Sequence, residues 1–350
     1  MTNRRATISD VAREANVSPS TASVVFSGKT PVSDATRERV LAAAAALGYA
    51  GPDPLAASLR RGRSGIVGVV VGSSLNSIFI DPVQRLLMDG LAEAVAPLGA
   101  GLLLLRSTSD IENAPTLTTA PVDAAVLIGC DAELRDSLDD VRARGIPIVV
   151  IEGDAGAGVP RVRLDNREAQ RLAAGHLREL GHTDVAIVTL RTDPSGTLGR
   201  IEPGRDITID VTRERLEGAR DVYPDAIALA TSGSTIDDGL AAARTLFADP
   251  RHRPTAVIAQ SDLLATGVIR AAEEAGLRVP EDVSITGFDG VPVDGLAPYR
   301  LTTLVQAATE KGRAAGAAVA AMLEGEEPAS VLLTCEFRLG NTSGPAPAPR

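Results

Sequence analysis

The chain has 350 residues, 44% of them hydrophobic and only 2% aromatic, and carries a formal net charge of −10. That length exceeds one ordinary domain of roughly 150 residues, and the apolar fraction supports a sizeable core. No apolar run approaches the ~20 residues of a membrane helix, and the polar start lacks the apolar segment of a secretion signal, so a soluble, cytoplasmic protein is expected.

The net charge hides an asymmetry. Residues 1–65 hold nine Lys/Arg against five Asp/Glu, a net of +4, which leaves 26 against 40, a net of −14, for the rest. A basic head on an acidic body can hold nucleic acid at one end and repel it elsewhere.

Three short helices are expected in the head. Thr7 and Asp10 have the spacing of a capping box, and Ile8, Val11, Ala12 and Ala15 follow the i, i+3, i+4, i+7 spacing of one apolar face. Ser18 is the cap of the second helix, with Pro19 at its first position, where the missing N–H costs nothing. Ala22, Val25 and Phe26 form its buried stripe, and Ser20, Thr21, Ser23 and Val24 point outward. Ser33 caps the third helix, whose apolar face takes in Val40, Leu41, Ala44 and Leu47 before Gly48 ends it. The first two helices make a helix-turn-helix, which presents one helix end to the DNA major groove. Outward hydroxyls at a helix start suit phosphate contact; a small helical domain without a ligand is the plainer alternative.

Residues 51–64 read as a linker, with a segment from Pro54 to Arg60 long enough for about two helical turns, marginal alone in water. From Ile66 the pattern alternates strand and helix. Strands are expected at 66–71, 101–105, 124–128, 147–151, 185–189, 256–259 and 284–287. Helices are expected at 82–96, 132–144, 167–180, 213–222, 235–248, 262–274 and 306–323. This is a doubly wound α/β pattern with parallel sheets, and it has enough strands for two lobes around a cleft. The Gly/Pro-rich end, 341–350, reads as a disordered tail. Cys130 and Cys335 are far apart and lack metal-ligand neighbours, so unpaired thiols in a reducing compartment are expected.

Several motifs in this order resemble the LacI/GalR family of bacterial transcriptional repressors: Thr7–Leu47, then Asp53–Leu59, then Val162–Asn166 with Gly175-His176-Leu177, then Arg213–Gly218, Val279–Asp289 and Leu301–Gln306. The resemblance spans essentially the whole chain. It implies a helix-turn-helix headpiece (1–50), a hinge (51–64), and a two-lobed, periplasmic-binding-protein-like body (65–340). The body would bind a small, sugar-like effector and form a homodimer, so that paired headpieces bind double-stranded operator DNA. No cofactor, metal or membrane is implied, and no catalytic residue. DNA contacts are expected from Thr7, Ser18, Pro19, Ser20, Thr21, Ser23, Val24, Ser27, Lys29, Ser33 and Thr36, and from Ala56 and Leu59 of the hinge. Leu59 would wedge into a minor-groove base step; docking on the body is its plainer role. Effector contacts are expected from Asn76, Phe79, Glu152, Arg215, Ser261, Asp289 and Gln306, with Arg215 and Asp289 holding ligand hydroxyls or forming a structural ion pair.

The chain also departs from the family pattern. Pro19, Ser20 and Val24 stand where relatives carry longer polar readers, so base recognition leans on Ser20, Val24, Ser27, Lys29 and DNA deformability. Gly51 reads as an insertion. Ser261 replaces an asparagine common in relatives, the segment 190–212 is long and polar, and the stretch from Leu105 to Val122 is short for the usual second helix. With so few aromatics, sugar stacking falls to Phe79 and Phe288. Two other readings compete. A solute-binding module predicts a secretion signal and no basic headpiece. An enzyme on this fold predicts a phosphate loop, which the glycines near 65–68 and 153–158 do not form.

Overall fold

The computed structural model describes residues 6–28, 30–51, 62–72, 75–106, 116–129 and 132–348. The chain divides into two compact units, residues 1–65 and 66–350.

The first unit contains α1 (Ile8–Glu14), α2 (Pro19–Ser27) and α3 (Asp34–Ala46). Its core is small and alanine-rich: Val11, Ala12, Ala15, Ala22, Val25, Val40, Ala43 and Ala44, with Phe26 set edge-on to Tyr49 at 5.3 Å between ring centroids. Leu41 and Leu47, expected on the inner face of α3, are instead 47% and 37% exposed. A 13-residue helix packed on two short partners buries a narrow stripe, and Val40, Ala43 and Ala44 fill it.

The second unit has two α/β lobes. One is built on β1 (Ile66–Val71), β2 (Gly101–Arg106), β3 (Ala124–Ile128), β4 (Ile148–Ile151), β5 (Arg161–Leu164) and β12 (Val331–Leu333), all parallel, in the order β12-β5-β4-β3-β1-β2. The run Ile66–Val71 is continuously apolar because both its faces are covered. Val67, Val69 and Val71 meet α5 (Pro82–Val95) and α11 (Ala308–Leu323), while Val70 joins the cluster containing α6 (Ala132–Ala143). A five-residue helix, α4 (Asn76–Ile80), precedes α5.

The other lobe carries the sheet β10-β9-β6-β8-β7, made of β6 (Val185–Thr189), β7 (Gly199–Arg200), β8 (Ile227–Ala230), β9 (Ala256–Ala259) and β10 (Ser284–Thr286). Helices α9 (Ile236–Phe247) and α10 (Asp262–Glu274) cover one face, and α7 (Asn166–Glu179) and α8 (Asp210–Arg220) the other. The chain passes between the lobes after β5, after β10 and after β12; β11 (Thr303–Val305) and β13 (Glu336–Arg338) pair antiparallel along these crossings.

Several elements escaped the periodicity reading. Arg161-Val-Arg-Leu alternates because it faces a charged crevice, and β8 is only four residues long. The long segment 190–212 is ordered by Ile201 and Ile207, which are buried beneath α8, and by β7, which pairs antiparallel with β8. Helix α8 therefore begins at Asp210 rather than Arg213.

The expected disorder of residues 341–350 is corrected over 341–348. Thr342 is fully buried: its carbonyl accepts from Ile285 N at 2.7 Å, and its hydroxyl donates to Ile285 O at 2.8 Å. Gly344 bonds Ser284 and His182, and Ala346 N donates to Leu180 O at 2.8 Å. The open edge beside β10 leaves backbone groups unpaired, and the tail satisfies them. Composition alone does not reveal such an edge.

Candidate functional site

In the helical unit the local chemistry follows the caps. Thr7 Oγ1 accepts from Asp10 N and Asp10 reaches back to Thr7 N, which closes the capping box. Asn16 takes φ 52 in the turn between α1 and α2, a conformation asparagine tolerates better than most residues. Ser18 Oγ accepts from Thr21 N at 3.1 Å, and Ser33 Oγ accepts from Thr36 N at 3.4 Å. Around the start of α2, Ser18, Pro19, Ser20 and Ser23 are exposed, while Thr21 and Val24 are half-buried. The Ser18, Ser20 and Thr21 hydroxyls form one patch, with Ser18 Oγ at 2.7 and 2.8 Å from its two neighbours. Ser27, near the helix end, is exposed but turns its hydroxyl to Val24 O. Backbone N–H groups and hydroxyls at one exposed helix end make a neutral surface suited to phosphate oxygens. Lys29, Ala56 and Leu59 lie outside the described residues.

In the larger unit a polar network runs through the lobe crossings. Arg215, on α8, is almost fully buried. Its Nε donates to Asn166 Oδ1 at 2.9 Å, its Nη1 donates to Gln260 O at 2.6 Å, and Nη1 lies 3.7 Å from Asp289 Oδ1. The guanidinium stacks over Phe288, with Cζ 3.5 Å from the ring centroid. Asp289 Oδ1 also accepts from Gln306 Nε2 at 2.5 Å. Glu152, at the end of β4, accepts from Lys311 Nζ at 2.9 Å, Leu164 N at 3.2 Å and Asn166 Nδ2 at 3.0 Å.

Burial dominates the electrostatics. It drives the Asp289 carboxyl well above the usual range; Arg215 opposes the rise, and the carboxylates of Asp262 and Asp81 add to it. Asp262 is pushed up to about 6 by burial, against hydrogen bonds from Thr303 Oγ1 and the Val291 N–H. Asp81 is raised by burial and drawn back by its bonds to the first turn of α5 and by Arg215 and Lys311. Acidic groups thus crowd around two buried cations, and the pairing of those cations decides the state of the site.

Residues 7–51 match the family described as bacterial regulatory proteins of the lacI family, and residues 174–343 match the periplasmic binding protein-like domain. An HTH-type transcriptional regulator of Mycobacterium tuberculosis is 36% identical over 358 residues, covering 98% of this chain and 98% of that one. The chain belongs to the LacI family. It is therefore a helix-turn-helix transcriptional regulator whose second unit has the form of an effector-binding domain, and the solute-binding reading is set aside. The fold is shared with the lac repressor dimer bound to operator and the anti-inducer ONPF, at TM-score 0.77 and 21% identity, covering 97% of this chain and 100% of that one. A complex of the regulator CelR with cellobiose aligns at TM-score 0.66 and 27% identity, with the same coverage.

Within this LacI-family body, the expected residues Glu152, Arg215, Asp289 and Gln306 come together through the network above. Ser261 does not face it with a free hydroxyl: its Oγ caps α10 by accepting from Leu264 N and takes a second bond from Ser234. Asn76 is exposed, and neither it nor Phe79 bonds to the network among the described residues. Phe79 is 70% exposed, because a helix of five residues can turn only one side inward and Ile78 occupies it. Phe288 is no free stacking face either, since Arg215 covers it.

Asn166, Gln260, Lys311 and Asp81 belong to the network but were not singled out from the sequence. The clues were present: Asp81 precedes Pro82 as a helix cap, and Lys311 is the single lysine of the Ala/Gly-rich helix that follows Gln306. Gln170, one turn beyond Asn166, is fully buried, and neither of its amide atoms has a partner among the described residues. Cys335 is half-buried, its thiol pushed up to about 11 by burial, which makes it a poor nucleophile.

Proposed function

We propose that the protein is a cytoplasmic, ligand-responsive repressor without catalytic activity, acting as a homodimer on operator DNA. One observation carries the reading: a single chain joins an exposed, hydroxyl-lined helix start to a two-lobed body whose crossings hold a buried Arg215–Asp289–Gln306 network. The headpiece contacts phosphates through the helix starts at Thr7, Ser18, Ser33 and Thr36, and reads bases with Pro19, Ser20, Thr21, Ser23, Val24, Ser27 and Lys29. Short side chains there make for weak direct readout, so hinge residues Ala56 and Leu59 and DNA deformability carry much of the specificity.

The effector is a small, hydroxyl-rich molecule of sugar type, recognised by Arg215, Asp289, Gln306 and Glu152, with Asn76, Phe79 and Ser261 at the margin. A guanidinium fork beside a carboxylate suits paired hydroxyls, and Gln306 Oε1 has no partner among the described residues.

Selection from random duplex DNA is expected to yield one near-palindromic sequence, bound in roughly the 10⁻⁸–10⁻¹¹ M range with steep salt dependence. Recovery of no preferred sequence refutes the repressor reading. For the hinge, Leu59→Ala is expected to weaken selected-site binding about tenfold or more while sparing random-sequence binding, because only the bent, specific complex uses the wedge. An unchanged ratio of the two affinities removes Leu59 from the interface. Thermal-shift screening of cellobiose, ribose and other neutral sugars against the full chain tests the effector class, since a cleft ligand raises the melting temperature by mass action.

A further inference from the structure

The chain contains two lysines, Lys29 and Lys311, among 35 Lys and Arg. Lys311 is the one in the effector body, and it is 3% exposed within an Ala/Gly-rich helix. A buried ammonium is costly unless paired and fully hydrogen-bonded, so its position calls for a reason beyond charge.

Its partner supplies one. Glu152 receives Lys311 Nζ at 2.9 Å on Oε1 and Asn166 Nδ2 at 3.0 Å on Oε2. The opposite atom of that amide, Asn166 Oδ1, accepts from Arg215 Nε at 2.9 Å. The amide is thereby held in one orientation: its NH₂ must face Glu152 for its oxygen to face Arg215. Glu152 itself sits at φ 53, a conformation costly for a residue other than glycine, anchored by a bond from its own N–H to Val162 O at 3.0 Å. Beyond Arg215 the contacts continue through Asp289 to Gln306, which leads into the helix that carries Lys311.

We propose that Lys311 is a positioning residue: acting through Glu152 and the Asn166 amide, it holds the Arg215 guanidinium in its effector-binding orientation. This role rests on Arg215 belonging to the effector site. Lys311 lies in the first lobe and Arg215 in the second, so the relay also ties the orientation of Arg215 to the relation between the lobes. Apolar replacement of Lys311 leaves a buried carboxylate beside Glu214, which burial and Glu152 already raise. Glu152 then swings toward solvent, and the Asn166 amide loses what orients it.

The test needs no effector. In full-length protein labelled with ¹⁵N-arginine, the slowly exchanging Nε–H signal missing from Arg215→Met reports on the bond to Asn166. Lys311→Met is expected to speed its exchange about tenfold or more, the scale of losing one hydrogen bond from a charged group. The charge-balanced pair Glu152→Ala with Lys311→Met avoids an unpaired buried charge and decides the matter if the single variant fails to fold. It is expected to show the same acceleration. Glu152→Gln with Lys311→Met keeps an amide oxygen for Asn166 and is expected to hold exchange near the wild-type rate. Wild-type protection in the Ala/Met pair, or equal acceleration in the Gln/Met pair, overturns the relay. Failure of the effector reading has a separate signature: a ligand identified by thermal shift protects Arg215→Met as well as it protects the wild type.

Discussion

Arg215→Met lowers the melting temperature of the effector body on the order of 10 °C at pH 8, and less near pH 4. Methionine keeps the apolar stem against Phe288 but removes the donors to Asn166 and Gln260 and the only cation within 4 Å of Asp289 among the described residues. Breaking a buried pair by deleting one partner costs about 3–5 kcal/mol, because the remaining charge stays desolvated. At ~2–4 °C per kcal/mol for a body of this size, the shift follows. Its pH dependence has a definite sign. Asp289 already titrates well above its unfolded value of 3.8, and losing Arg215 raises it further. The folded variant then holds a proton that the unfolded chain releases, so its stability falls as pH rises through that interval. Near pH 4 the carboxyl is neutral in the fold, and the deficit shrinks to the part left by the lost bonds to Asn166 and Gln260. Melting curves across pH 4–8 check this, and an equal deficit at both ends shows that Asp289 is not the stranded charge. In function, the same variant is expected to bind operator normally without effector and to lose the response to it.

The headpiece was legible because its determinants are local. Each cap at Thr7, Ser18 and Ser33 bonds an N–H three residues on, a relation that spacing alone displays. Buried strands with long apolar runs were legible for a similar reason, whereas Arg161–Leu164 and Ile227–Ala230 are short or half-polar and gain strand character only from their neighbours. The effector network was half legible. Arg215, Asp289 and Gln306 stand in family-like motifs, and Glu152 directly follows an expected strand. Asn166 ends another such motif, but its role, like that of Lys311, became visible only when Lys311 met Glu152 across 159 residues. Ser261 and Phe79 show the opposite failure: a polar or aromatic residue in the right stretch is committed to a cap or turned to solvent by its helix. The docked tail was illegible because its partner is the edge strand β10.

Gly312→Ala is expected to destabilise the effector body by more than about 3 kcal/mol, whereas Gly175→Ala stabilises it by about 1 kcal/mol. Both are helical glycines, so propensity predicts the same modest gain for each. Surroundings separate them. A Cβ on Gly312 would lie 2.1 Å from Leu87 O and 2.6 Å from Leu91 N, and one on Gly90 would lie 2.0 Å from Thr309 O. At Gly175 nothing stands within 4 Å. Helices α5 and α11 therefore cross backbone to backbone, with no flexible side chain to yield, and a methyl group must push them apart. The separation has a functional consequence, because α5 starts from Asp81, while α11 carries Lys311 and follows Gln306. Moving either helix shifts the partners of Glu152 and Asp289 relative to Arg215. Gly312→Ala should therefore also speed exchange at the Arg215 Nε–H, even in protein that remains folded at low temperature. Urea unfolding of the two variants, read beside that exchange rate, checks both claims. If Gly312→Ala matches wild type in stability, the close crossing of α5 and α11 is wrong. If stability falls but Arg215 stays protected, the crossing holds the lobe together without setting the site.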